Sequence, residues 1–183
     1  MLNPRSSLVM LHNRRTFLGK AAALGAVISV APWRHLAAAG PDPALPLDDM
    51  LVKDYVGAAH RDLDRVRTML DEQPLLLNAS WDWGNGDFET ALGAAGHVGR
   101  RDIAEFLLDK GARADLFVLT MLGETAIVKS LLERFPYLLN SYGPHGFTLL
   151  HHAQRGGEAA QNLLDFLTEK GLSETRLDLF QKK

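Results

Sequence analysis

Histidine is the side chain in this sequence with the widest chemical choice. His151 and His152 are adjacent, and His145 lies a short way before them. Neutral imidazoles are good ligands for a transition-metal dication, so the His145–His152 region raises a metal reading. Adjacent residues on a helix point about 100° apart, however, and are poorly placed to share one ion. No metal ligand is assigned. His60 and His97 stand isolated in the sequence and are expected at a solvent edge. Gly93, Gly96 and Gly99 are loosely reminiscent of a phosphate-binding loop. Such a loop needs a strand before it and a helix starting just after it, whereas these glycines fall inside and at the end of a short helical pattern. The Gly-x-Ser-x-Gly elbow of a serine hydrolase is missing. The acidic pairs Asp48-Asp49 and Asp71-Glu72 read as solvated surface. Cysteine is absent, which removes disulfides, thiolate nucleophiles, iron–sulfur clusters and cysteine zinc sites. No catalytic residue and no cofactor is assigned, and no enzyme is expected.

Residues 79–89 (Ala-Ser-Trp-Asp-Trp-Gly-Asn-Gly-Asp-Phe-Glu) carry recognition chemistry instead. Gly84-Asn85-Gly86 is a strong turn signal. Trp81 and Trp83 alternate with Asp82, so in an extended strand they share a face. Tryptophan and tyrosine dominate binding hot spots. The rings could equally fold back as packing, and both readings stay open. Tyr142-Gly-Pro-His-Gly-Phe147 forms a second patch with the same logic, through Tyr142, His145 and Phe147.

These residues need a scaffold. The chain has 183 residues, 46% of them hydrophobic and 23% charged, which suits one domain with a sizeable core. Its formal net charge of -2 is unevenly placed. Residues 1–39 hold five basic residues and no acidic one, so the rest holds 15 of the 20 basic and all 22 acidic residues, a net of -7. An acidic body argues against nucleic-acid binding, which needs a basic face.

The body is self-similar. Residues 69–78 and 131–140 share the ending Pro-x-Leu-Leu-Asn; residues 106–111 and 166–171 share Phe-Leu-x-x-Lys-Gly. Thr90-Ala-Leu-Gly-Ala-Ala95 parallels Thr148-Leu-Leu-His-His-Ala153. Ile103, Phe106, Leu107 and Leu108 form an apolar stripe at helical spacing. Residues 41–50, with three prolines, read as an extended lead-in.

This alternation resembles the ankyrin repeat. Residues 89–115 match its pattern through Thr90, Leu92, Ala95, Gly99, Ile103, Leu107, Gly111 and Ala112, and residues 146–172 through Gly146, Thr148, Leu150, His151, Ala153, Gly157 and Gly171. The segments at 53–78 and 115–140 match more loosely, with Arg61 at a usual glycine and no Thr-x-Leu-His head in the third. The resemblance implies an all-α fold: an ankyrin-repeat solenoid of about four stacked helix pairs with short β-hairpin fingers. The units are expected at 51–80, 81–114, 115–141 and 142–175 within a domain spanning 51–183, preceded by a lead-in at 40–50. The finger before the third pair is expected to be almost lost. The threonines should cap helix starts, His151 should make structural hydrogen bonds, and the end from Ser173 to Lys183 should cap the stack.

The N-terminus reads as an address. A basic stretch precedes an uncharged run from Ala21 to Trp33, and Ala37-Ala38-Ala39 follows. That is the plan of a secretory signal, with cleavage after Ala39. The run is short of the roughly 20 apolar residues of a spanning helix, so no permanent membrane span is expected. Arg14-Arg15-Thr16-Phe17-Leu18-Gly19-Lys20 resembles the twin-arginine motif through Arg14, Arg15, Phe17, Leu18 and Lys20, with Gly19 interposed before the lysine. The resemblance implies a signal at 1–39, export in a folded state by the twin-arginine translocase, and a periplasmic location. A chain without cysteine fits an oxidising compartment.

Together these readings give an exported protein–protein interaction module. Its expected contacts are Trp81, Trp83, Phe88, Tyr142, His145 and Phe147 on the fingers, then His97, His152 and Arg155 on first helices. Two alternatives remain open: an escort for an exported enzyme, and a periplasmic metal-binding or enzymatic protein using the His145–His152 region.

Overall fold

The computed structural model describes residues 46–178. The Arg14–Lys20 motif, the cleavage point after Ala39 and the first part of the lead-in lie outside the described residues. Within them run α1 (Asp49–Ala58), α2 (Leu63–Glu72), β1 (Ser80–Asp82), β2 (Phe88–Thr90), α3 (Ala91–Val98), α4 (Arg101–Asp109), α5 (Leu116–Leu122), α6 (Thr125–Arg134), α7 (Leu149–Gly156) and α8 (Gln161–Glu169). The protein is mostly helical, with one small two-stranded sheet among the described residues. No helix among them is long and apolar enough to cross a membrane.

Local chemistry sets the helix starts. Side-chain oxygens of Asp48, Asp62, Thr90 and Asp115 each accept a hydrogen bond from the backbone N–H three residues on, filling a donor the first turn leaves open. Thr148 departs from this expectation. Its hydroxyl donates to the Glu174 carbonyl at 2.7 Å, and α7 has no side-chain cap. Gly99 ends α3 in the left-handed region, at φ 81°, which glycine adopts without steric cost.

The helices come in pairs. Each second helix packs on its own first helix, as α1–α2, α3–α4, α5–α6 and α7–α8. The first helices also form a row, α1 on α3, α3 on α5 and α5 on α7. Small residues allow this approach: a Cβ on Gly96 of α3 would lie 2.9 Å from Cγ2 of Val118 on α5. Of the predicted stripe on α4, Ile103 and Leu107 are completely buried and Phe106 and Leu108 partly so, with Ala104 buried beside them, and each buried aliphatic side chain of Leu or Ile size contributes about 1.5–3 kcal/mol. The apolar interior forms two clusters, one from Val52 to Met121 and one from Val128 to Leu167.

Two connections project as fingers. Between the first two pairs, β1 and β2 pair antiparallel with Ser80 opposite Thr90, Trp81 opposite Glu89 and Asp82 opposite Phe88. Gly84, Asn85 and Gly86 all take positive φ at the tip, where the Asp82 carboxylate accepts from the Gly84 and Gly86 amides. Between α6 and α7 the finger is looser: a 3-10 turn at Pro144–Gly146 closed by the Tyr142–Thr148 bridge. The link from α4 to α5 has no strand. The segment after α8 returns to brace the second finger, pairing Arg176 with Phe147 and sending the Leu177 amide to the Gly146 carbonyl.

Candidate functional site

The two fingers meet through Asp87 and His145. Asp87 lies just before β2, and one of its carboxylate oxygens accepts the His145 amide at 2.8 Å while the other lies 2.7 Å from His145 Nδ1. His145 has φ 60°, a left-handed conformation that is uncommon outside glycine and is held here by this two-point grip. Arg176 Nε donates to the His145 carbonyl from the other side.

Behind this junction lies Glu89, buried at 1% exposure. The strand register places it opposite Trp81, on the inward face of the hairpin. Four groups surround its carboxylate. Trp83 Nε1 donates to Oε2 at 2.7 Å. His97 Nε2 on α3 is 2.9 Å from Oε1, His145 Nε2 is 3.5 Å from Oε1, and His60 Nε2, in the turn after α1, is 3.5 Å from Oε2. The Nε2 atoms of His60 and His97 are 3.1 Å apart. One ligand-type atom from each of His60, Glu89, His97 and His145 falls within 4.8 Å of all the others, the single such group among the described residues. His60 Nδ1 faces the Val56 carbonyl at 3.1 Å. Phe147 closes the floor, stacked on His97 and on His151 with ring centres 5.1 and 4.0 Å apart.

Outside the junction, a hollow of about 490 Å³ opens between the fingers, lined by Phe88, Asp115, Phe117, Tyr142 and Pro144. Phe88 and Tyr142 are 61% and 51% exposed.

The sequence-predicted contacts thus fall into three groups. Phe88 and Tyr142 stand on the rim of that hollow, whereas Trp83, 39% exposed, lines a separate one beside Lys53 and His60. Trp83, His145, Phe147 and His97 gather around Glu89, and Trp81 is half-buried beneath the Lys53 ammonium, 5.7 Å from the ring centre. The others stand apart: Arg155 is exposed near the end of α7, and His152 is buried at 1% exposure. His152 Nδ1 donates to the Thr148 carbonyl at 2.8 Å and its ring rests on Phe117, so it offers no surface to a partner. His97, buried at 7% exposure, is likewise turned inward. Burial depresses the His152 imidazole to about 4 and also lowers that of His151. His151 Nε2 donates to the His97 carbonyl at 2.8 Å, a structural bond between α7 and α3.

The expectation that His60 and His97 are isolated at a solvent edge is corrected, since their rings touch each other and Glu89. Sequence reasoning also passed over Glu89 and Asp87. A signal existed for the histidines: His60 precedes His97 by 37 residues, the same offset that carries buried Val66 to Ile103 and Leu70 to Leu107. Nothing in the sequence brought His145 and Glu89 to them. No family model matches the chain, and neither a curated protein nor a solved structure matches it.

Proposed function

We propose that this chain is an exported ankyrin-type interaction module that binds another protein along its finger rim in the bacterial periplasm. The observation that carries the reading is the pair of linked fingers presenting Phe88 and Tyr142 around an open hollow, with Trp83 part-exposed at a second one. Large aromatics partly exposed on a fixed frame are what a binding hot spot requires. The succession of helix pairs, the Thr90 cap, the left-handed Gly99 and the Asn-Gly hairpin support the ankyrin resemblance. Export rests on the twin-arginine-like motif from Arg14 to Lys20. The acidic body favours a partner with a basic face, through faster encounter more than through tighter binding. An escort for an exported enzyme would use the same rim.

The test is affinity capture from bacterial envelope extract with the full chain as bait, beside a Phe88→Ala/Tyr142→Ala bait. Both side chains are exposed, so the variant should retain the native circular dichroism spectrum. A stoichiometric protein held by the native bait and lost by the variant supports the module and its rim. Equal capture by both moves the contact elsewhere, and no stoichiometric capture in repeated extracts overturns the interaction reading.

A further inference from the structure

We propose that His60, Glu89, His97 and His145 form a four-coordinate site for a divalent transition-metal ion, zinc by preference, which staples the first two helix pairs and both fingers together. The proposal stands independently of the partner-binding reading.

His60 Nδ1 faces the Val56 and Gly57 carbonyls, and His145 Nδ1 faces the Asp87 carboxylate. Carbonyls and carboxylates only accept, so both Nδ1 atoms carry the hydrogen. A neutral ring then turns the lone pair on Nε2 inward. Both Nε2 atoms point at a carboxylate, another acceptor. Glu89 Oε1 is fully buried and has no hydrogen-bond partner, although His97 Nε2 is 2.9 Å away, because the two are not aligned as donor and acceptor. The lone pairs on His60 and His145 Nε2 therefore converge with the buried Glu89 oxygen and with His97 Nε2, which donates to His60 Nε2 at 3.1 Å without a metal and becomes a ligand when its proton leaves or moves to Nδ1. A cation there satisfies all four at once.

The spacing fits. Metal–ligand bonds of about 2.0–2.1 Å in a tetrahedron separate the ligand atoms by roughly 3.3 Å. Three separations within the ligand set are 2.9 Å from His97 Nε2 to Oε1, 3.1 Å between the Nε2 atoms of His97 and His60, and 3.5 Å from His145 Nε2 to Oε1, while His60 Nε2 lies 3.5 Å from the other Glu89 oxygen. Three imidazoles and one carboxylate, with no thiolate, suit zinc and also copper, nickel or cobalt, rather than calcium or magnesium, which take oxygen ligands. The surrounding partners are those that hold metal ligands in place: a carboxylate on His145, a backbone carbonyl on His60, and the Trp83 indole on Glu89 Oε2, which leaves Oε1 as the single bonding oxygen. The ligands come from the turn after α1, from β2, from α3 and from the second finger. Binding would thus fasten segments far apart in the chain, and its free energy would add to folding stability.

The experiment uses the untagged full chain, stripped with chelator and titrated with zinc against a competing coloured chelator. One equivalent should bind, with a rise in melting temperature. Cobalt loaded in its place should give the intense visible absorption of a tetrahedral ion. His60→Ala/His145→Ala should abolish the equivalent and the temperature rise while preserving the dichroism spectrum. Should that variant fail to fold, Asp87→Asn keeps all four ligands and should weaken zinc binding by about 10–100-fold, as loss of a supporting hydrogen bond does at other metal sites. His152→Gln, with a native dichroism spectrum, should leave the stoichiometry at one. No bound equivalent, undiminished binding in the Ala double variant or in Asp87→Asn, or loss of binding in natively folded His152→Gln would each overturn the proposal.

Discussion

His151 and His152 are neighbours in sequence and strangers in space; His60, His97 and His145 are the reverse. On α7 the adjacent rings diverge as helix geometry demands. One reaches the His97 carbonyl and the other the Thr148 carbonyl of its own helix. The three distant histidines converge on a single buried carboxylate because the row of first helices and the junction of the two fingers bring them there. Proximity of polar groups is a property of the stack, while adjacency in the chain mainly decides which groups must part.

The largest expected effect separates these two sets by metal. At zinc about a thousandfold above its dissociation constant, the free energy of unfolding should rise by about 4 kcal/mol, and chemical denaturation of His145→Ala should show no such rise. Next comes pH, measured in chelator. His152 has a folded-state value of about 4 against an ordinary 6.5. Between those limits the unfolded chain takes up the proton and the folded chain does not, so stability is full above pH 6.5 and falls as pH drops toward 4. The loss is at most about 3 kcal/mol, and it should disappear from the acid limb in His152→Leu.

Smaller effects sharpen the contrast. Asp87→Asn removes the charge from the link between the fingers and should cost about 1–2 kcal/mol in denaturant melts. Among the described residues, Tyr55 Oη is the other buried side-chain atom with no hydrogen-bond partner, and burial pushes that phenol up to about 12. No group of convergent ligands surrounds it, so Tyr55→Phe should be neutral or stabilising by about 1 kcal/mol. Glu89→Gln, which leaves a buried polar group of the same shape, should instead lose zinc binding. The smallest difference is between the two threonines. Thr90→Ala removes a cap and should cost about 1 kcal/mol, whereas Thr148→Ala should leave the start of α7 unchanged and loosen only its bond to the Glu174 carbonyl.

The hairpin turn was legible because Gly84-Asn85-Gly86 needs only its own backbone freedom. The helices of the second pair were legible because Ile103 and Leu107 repeat at helical spacing and Thr90 and Gly99 mark an end each. The same reasoning failed at Thr148, where a competing acceptor arrives from the C-terminal segment. Glu89 was passed over altogether, because nothing in its sequence neighbours marks it as buried. Its burial follows from the strand register, which turns it inward opposite Trp81.

What the chain determines by itself is local. The spacing of apolar residues, the capping side chains and the turn glycines act within one or two helical turns, so composition and order suffice for them. What only the tertiary structure decides is which polar groups share a space. His60, Glu89, His97 and His145 are separated by intervals that no local rule connects, and Asp87 reaches His145 across 58 residues. Packing of one helix pair on the next fixes those distances to ångströms, and a site whose chemistry depends on ångströms exists only after that packing is complete.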